Sequence, residues 1–334
     1  MTRAARPLLW PLVPAYRLAL ALREAQLRTG LKPVRRLRWP VVSVGNLSAG
    51  GSGKTPLAIV LAKALSARGV LVDVLSHGYG RRRRSALPLL VDSCGTSEQF
   101  GDEPLEIARE AGVPVYVGAE RYEAGLLAEH SVLSGFGLHL LDDGFQHRQL
   151  ARNVDILLLS RRDLADHLLP AGNLREASLA AERADVFAIP EDEPEVAEWV
   201  KSQGWEKTVW QLRRRMEVPQ IDGPVVTFCG IARPEQFFEG LEQAGLRVAA
   251  RFAFPDHHRY AAEDLERMTA AAKKAGAAVL VTTAKDRARL EGMAESFPAS
   301  ISLQTVPLRV EIEDEAIDWL VGRVRAAERD RRAS

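Results

Sequence analysis

The chain has 334 residues, 46% of them hydrophobic, with a formal net charge of +1, so it is long enough to bury two cores rather than one. Its two cysteines, Cys94 and Cys229, lie too far apart for metal-ligand spacing. They exclude a disulfide framework, fit a reducing compartment, and read as buried thiols.

The basic residues are unevenly placed. Residues 1–38 hold nine Lys or Arg against one acid, Glu24, which leaves the remainder mildly acidic. Within "RPLLWPLVPAYRLALAL" the stretch Pro7 to Leu22 is 16 residues, interrupted by Pro11, Pro14 and Arg17. A helix of that length covers about 24 Å against a hydrocarbon core of about 30 Å, so it does not span a bilayer. No A-x-A-like cleavage site follows, which argues against a signal peptide. The segment reads as an interfacial helix over residues 1–35. Leu8, Leu9, Trp10, Leu12, Val13, Tyr16, Leu18 and Leu22 would face lipid or a partner, with Arg3, Arg6, Arg17, Arg23 and Arg28 near anionic headgroups. The alternative is a helix packed on its own domain.

From residue 40 onward apolar, β-branched runs alternate with helical patterns: "PVVSVGNL", a helix at 56–68, "VLVDVLS", a helix at 102–111, "VPVYVG", a helix at 120–130, "LHLLDD", "VDILLLS" and "ADVFAIP". Strand-then-helix repetition predicts a mostly parallel sheet covered on both faces. "PEDEPEVAEWVKSQGWEKT" breaks the rhythm, and a second alternating set follows from "VWQLRRR" to a helix at 313–328. The expected organisation is a P-loop NTPase-like α/β domain over 36–212 and a second, smaller α/β domain over 213–334. The hinge is placed near 205–220.

The first chemical motif is "SAGGSGKT", residues 48–55, between a strand at 41–45 and a helix at 55–66. In a strand–loop–helix setting, backbone amides of Ser48, Ala49, Gly50, Gly51, Ser52, Gly53, Lys54 and Thr55 cradle phosphate. Lys54 reaches the outer phosphates and Thr55 the Mg²⁺. Ser48 stands where a strict P-loop has its first glycine, so Gly50, Gly51 and Gly53 supply the turn. Downstream, the apolar strand of "LHLLDDGFQHR" ends in Asp142 and Asp143, the place of a second metal partner. Their side chains point in opposite directions if both are extended. "FGDEPLEIA" puts Asp102 and Glu103 at a helix start with Pro104 behind them, where capping alone would explain them. "PDHHRY" puts Asp256, His257 and His258 in a strand-to-helix loop; surface histidines are the plain reading.

"VGNLSAGGSGKTP", "LSHGYGR", "GDEP", "LLDDGFQHR", "LLPAGNLREA", "FPDHHRY" and "TAKD" follow one another in an order that resembles the tetraacyldisaccharide 4'-kinase family, from the N-terminal segment to about residue 290. The resemblance implies transfer of the γ-phosphate of ATP, with Mg²⁺, to the 4'-hydroxyl of a tetraacylated glucosamine disaccharide 1-phosphate. It also implies work at the cytoplasmic face of the inner membrane, with two α/β domains closing over the nucleotide. By motif, Lys54 and Thr55 would serve nucleotide and metal, with Asp142, Asp143 and Glu176 around the metal. Asp102 would be the base, paired with His257, and Asn173 and Arg175 would contact substrate. The chain departs from the family pattern at His77, Ala284 and Ala177, none of which carries chemistry.

The competing class is a P-loop switch or partitioning ATPase acting on a protein partner. Its signature lysine would fall at Ser48 or Ala49, neither of them basic. Guanine specificity needs [NT]-K-x-D, whereas here Lys285 directly precedes Asp286. Nucleic-acid binding through the basic N-terminus and Arg81 to Arg84 is disfavoured by the Leu and Trp between the charges. No nucleic acid and no obligatory protein partner is expected.

Overall fold

The computed structural model describes residues 6–50, 53–79, 81, 87–132, 135, 137–256, 258–290 and 293–332. Gly51, Ser52 and His257, three of the expected site residues, lie outside them.

The chain first lays down β1 (Val41–Asn46), β2 (Leu71–Ser76), β3 (Leu89–Leu90), β4 (Val115–Val117), β5 (Gly137–Asp142), β6 (Val154–Leu158), β7 (Val186–Pro190) and β8 (Thr208–Met216). β9 (Pro224–Cys229), β10 (Arg247–Ala253), β11 (Val279–Thr283) and β12 (Ser302–Val306) follow, and β13 (Leu308–Glu311) is last. The larger sheet runs β13-β8-β7-β6-β1-β5-β2-β4-β3 and the smaller β10-β9-β11-β12. All pairings are parallel except at the edges of the larger sheet, where β13 meets β8 and β3 meets β4 antiparallel. This is the α/β architecture the alternating pattern calls for. β1 and β5 are buried along their whole lengths because helices cover both faces.

On one face Leu57, Leu61 and Leu65 of the helix Lys54–Ala67 meet Leu105 and Ile107 of the helix Asp102–Ala111, together with Ile317 and Leu320 of the C-terminal helix Asp314–Arg332. On the other, Leu47, Phe145, Leu157 and Phe187 pack with Val13 of the N-terminal helix. The smaller sheet has its own two cores, around Phe228 and Met268 and around Phe237 and Leu241.

The division of the chain differs from the 36–212 and 213–334 expectation at both crossings. "VWQLRRR" is β8 of the larger sheet, and the chain leaves that sheet after Met216. It returns at Leu308, whose partner is Met216, so the outgoing and incoming strands run side by side. The last 19-residue helix therefore packs on the P-loop helix, not on the smaller sheet. The reason is the alternation in "LRVE": Val310 is buried against the larger sheet's core, which no local signal distinguishes from the smaller sheet's.

At the N-terminus one face of the helix packs on its own domain, and apolar side chains stay exposed elsewhere on the segment. A 3₁₀ turn, Pro7–Leu12, leads into the helix Val13–Arg28. Val13, Tyr16 and Leu20 pack on the larger domain, whereas Leu8, Leu18 and Leu22 stay 93%, 61% and 57% exposed. Among the described residues no helix is long and apolar enough to cross a membrane. Cys229 is buried as expected, but Cys94 is exposed, in a turn outside any strand.

Candidate active site

The carboxyl ends of β1 and β5 lie side by side, with Val44 in register with Asp142. Ligand crevices form at such ends in parallel sheets. β1 ends in Asn46. The chain then turns through the phosphate loop, in which Gly50 and Gly53 have φ of 110° and 92°, backbone states that glycine alone adopts without strain. Gly53 caps the helix Lys54–Ala67, so the helix's positive end opens into the crevice.

Ser48 is buried, and its place in the motif becomes intelligible. Its hydroxyl accepts from Asn46 Nδ2 at 3.0 Å, and its carbonyl accepts from Arg175 Nη2 at 3.1 Å. The backbone of the loop is stitched to 173–175: Ala49 N donates to Asn173 O at 2.8 Å and Arg175 N to Leu47 O at 2.7 Å. Asn173 is thus a structural strut. Its side chain donates to Asp166 Oδ2 at 2.8 Å and does not turn into the crevice with Arg175.

Lys54, Asp143 and Arg175 form one charged knot. Lys54 Nζ donates to Asn46 Oδ1 at 2.9 Å and approaches Asp143 Oδ1 at 3.2 Å. Arg175 grips Asp143 with two nitrogens, at 2.8 and 3.0 Å. Asp143 has φ of 51°, a left-handed state that Asp tolerates better than most residues. Leaving the strand in this way swings its carboxylate to Lys54, while Asp142 continues the line of β5. Burial alone would raise the Asp143 carboxyl, but Lys54 and Arg175 overrule it and hold it well below the ordinary range. Asp142 goes the other way: burial, then Glu103 and Asp143, push it up to about 7. Its Oδ2 accepts from Ser76 Oγ at 3.3 Å, and its buried Oδ1 has no hydrogen-bond partner.

Two cavities meet at the loop. One, of about 1080 Å³, runs along the P-loop helix past Thr55, Ile59 and Arg214 toward Ala232 and Arg233 of the second sheet's unit. The other, of about 540 Å³, is lined by Asp142, Asp143, Arg175, Arg121 and Tyr79, and reaches Arg23 of the N-terminal helix. Lys54, Gly50, Glu103 and Lys285 border both. The smaller cavity is rich in cations. Arg121 is buried, with Nη1 2.7 Å from His77 Nδ1. His147 is held down at about 4 by burial and then by Arg121, and so is neutral at pH 7.

The remaining expected residues are placed as follows. Asp102 stands at the start of its helix with Oδ2 accepting from Arg289 Nε at 2.8 Å, and it is the neighbouring Glu103 that lines the cavities. Glu176 accepts from Arg183 Nη1 at 2.8 Å and borders neither cavity. Among the described residues no three of His, Cys, Asp and Glu cluster closely enough to hold a metal ion by themselves. Arg121, Arg289 and Arg214 carry no motif signal in the sequence. Gln146 lies within "DDGFQHR" and Lys285 within "TAKD".

A family model described as tetraacyldisaccharide-1-P 4'-kinase matches residues 5–325. The chain belongs to the tetraacyldisaccharide 4'-kinase family. It is 40% identical over 321 residues to the tetraacyldisaccharide 4'-kinase of Koribacter versatilis, covering 93% of this chain and 97% of that one. The Anaeromyxobacter dehalogenans enzyme of that name is 38% identical over 313 residues, covering 86% and 82%. A crystal structure of the "apo" form of LpxK from Aquifex aeolicus in complex with ATP superposes with a TM-score of 0.73 at 30% identity, covering 96% and 99% of the two chains. Family membership replaces the switch-ATPase alternative.

Proposed function

We propose that the chain transfers the γ-phosphate of ATP to the 4'-hydroxyl of a tetraacylated glucosamine disaccharide 1-phosphate, the reaction of its family. The observation that carries this reading is the pair of cavities joined at Lys54. ATP occupies the larger, with its phosphates over the loop and helix end, where Gly50, Gly53 and Lys54 offer donors. The lipid sugar occupies the smaller, where Arg121 and Arg23 suit its 1-phosphate.

The residues fit a Mg²⁺ ion in a limited way. Mg²⁺ keeps waters and takes one or two carboxylates plus substrate phosphates. Asp142, with its buried Oδ1 lacking a partner, and Thr55, buried at the helix start, fit that demand without Glu176. When bound, the ion would neutralise charge on the phosphate oxygens. The protein's own part is electrostatic and positional. Lys54 meets the charge of the transferred group, Asp143 and Arg175 hold Lys54 in place, and Asp102 takes the acceptor proton.

The membrane reading rests on place as well as composition. The helix carrying exposed Leu18 and Leu22 also carries Arg23, which borders the acceptor cavity and donates to the Gln146 carbonyl. Tyr16 Oη, on the same helix, donates to Arg175 O at 2.9 Å. The helix therefore joins the acceptor cavity to an apolar face, which suits peripheral attachment at the cytoplasmic face of the inner membrane.

The deciding experiment incubates the protein with γ-labelled ATP, Mg²⁺, detergent and a tetraacyldisaccharide 1-phosphate. A labelled bisphosphorylated lipid is the expected product. ATP hydrolysis without label in the lipid would overturn the assignment.

A further inference from the structure

The function assigned to Asp102 leaves a question of placement, because its helix belongs to the larger unit and the acceptor-side residues 254–256 to the smaller. We propose that Arg289 is a positioning residue for the transfer reaction, fixing Asp102 by a two-sided guanidinium clamp between the units. This rests on the reading of Asp102 as the base.

Arg289 ends the short helix Ala284–Arg289, after "TAKD", and its side chain is 5% exposed. Nε donates to Asp102 Oδ2 at 2.8 Å, a contact spanning 187 residues of sequence. Nη1 donates to Asp286 Oδ1 at 3.1 Å and to the Gly230 carbonyl. The anchoring side is itself rigid. Asp286 is fully buried, with Oδ1 accepting from Gly230 N at 3.0 Å and Oδ2 from Thr283 Oγ1 at 2.6 Å. The carboxylate side is rigid too. Gly101, with φ of 91°, is pressed so close to the 78–79 backbone that an added Cβ would sit 2.7 Å from Tyr79 O.

The guanidinium is a planar fork whose donors keep a fixed mutual angle, so holding one edge fixes the direction of the other. With Nη1 locked at the end of β9 and on Asp286, Nε sets where Asp102 Oδ2 must lie relative to the smaller unit. Burial opposes the charge on Arg289, but Asp102, Asp286 and Asp256 together more than restore it. Asp256 belongs to the acceptor-side loop and lines the acceptor cavity, so the same cation draws both halves of that site together. A parallel ion pair, Lys285 Nζ to Glu103 Oε1 at 3.3 Å, joins the same two helices, but a lysine is a point charge and imposes no such angle.

The test uses the full-length chain with R289Q, R289K, D102N and R289Q/D102N. The readouts are kcat with ATP and lipid acceptor, Kd for ATP, and thermal melting. Displacement of a reacting group by about 1 Å costs about 100-fold, so R289Q should lose about 10²-fold in kcat. Its ATP affinity should stay within about twofold, since the clamp touches no P-loop residue. R289Q/D102N should be no slower than D102N, because both changes disable one unit. R289K should recover part of the rate, yet stay about tenfold or more below the wild type, since one ammonium cannot reproduce the fork. It is also the informative variant if R289Q does not fold. R289K at full turnover, or losses in the double variant that multiply, would overturn the proposal. D102N at wild-type turnover instead removes the base assignment, whatever Arg289 does.

Discussion

Lys54 Nζ lies 3.2 Å from Asp143 Oδ1, and the same carboxylate is held from the other side by both terminal nitrogens of Arg175. Asp143 is therefore the support of the P-loop lysine, whereas the adjacent Asp142 is the acid with an oxygen to spare. The pair divides its labour because one residue leaves the strand and the other does not. Lys54→Met should cost about 10²–10³-fold in turnover, the usual penalty for one preorganised charge donor at a transferring group. Asp143→Asn should fall in the same range, and the double variant should be little worse than Lys54→Met alone. Steady-state assays on the three proteins check this. A double variant that loses the product of the single losses would separate the two residues.

Asp102 and Glu103 make contrasting predictions. Asp102 faces Arg289, and Glu103 borders both cavities and pairs with Lys285. Asp102→Asn should reduce kcat about 10²–10⁴-fold, the range of a general base, with little change in KM for ATP. Glu103→Gln removes a partner of Lys285 and should act mainly on KM. If Glu103→Gln gives the large kcat loss and Asp102→Asn the small one, the base is Glu103.

Some of these features are encoded locally in the sequence and others are not. β1, the P-loop and its helix were legible because an apolar run, three glycines and an apolar helical face are punctuated within 30 residues. The acids at 142–143 were legible as a pair at a strand end, but the left-handed turn at Asp143 was not, since "DDG" fits a straight exit as well. The return of β13 to β8 and the clamp of Arg289 on Asp102 connect positions 92 to 187 residues apart, and periodicity carries no trace of such pairings. The pairing of Glu176 with Arg183, which lies over the Phe145 ring, depends on packing alone.

The exposed leucines of the N-terminal turn and helix make a separable prediction. Leu8, Leu18 and Leu22 are exposed, whereas Val13, Tyr16 and Leu20 hold the helix to the domain. Burying one leucine in an apolar phase contributes about 1.5–3 kcal/mol. Changing all three to Ser should therefore weaken binding to vesicles containing anionic lipid by more than about tenfold, each 1.4 kcal/mol being a factor of ten. Melting temperature and Kd for ATP should be unchanged. Co-sedimentation with vesicles measures the first and calorimetry the others. Undiminished vesicle binding would place the membrane contact elsewhere.

The last prediction concerns stability away from the site. His139, in the middle of the larger sheet, is fully buried, with Nδ1 2.8 Å from Asp73 Oδ1 and Nε2 3.3 Å from Glu129 Oε1. Its ring lies 5.2 Å from that of Trp39, whose backbone N donates to the same Glu129 oxygen. Burial would lower its affinity for a proton, but Asp73 and Glu129 overrule it and raise its pKa from the ordinary 6.5 to about 9. The folded state thus binds more protons than the unfolded state between those two values. Stability from this group is complete below about pH 6.5 and is lost as pH rises through about 9. The melting temperature should accordingly fall across that window. His139→Gln should melt lower at pH 6.5, since it leaves Asp73 and Glu129 buried without their cation, and its melting temperature should change less between pH 6.5 and 9. Melting curves at half-unit pH intervals test both. A wild-type curve that is flat or rising over that range would show that the cluster is not held together by a charged histidine.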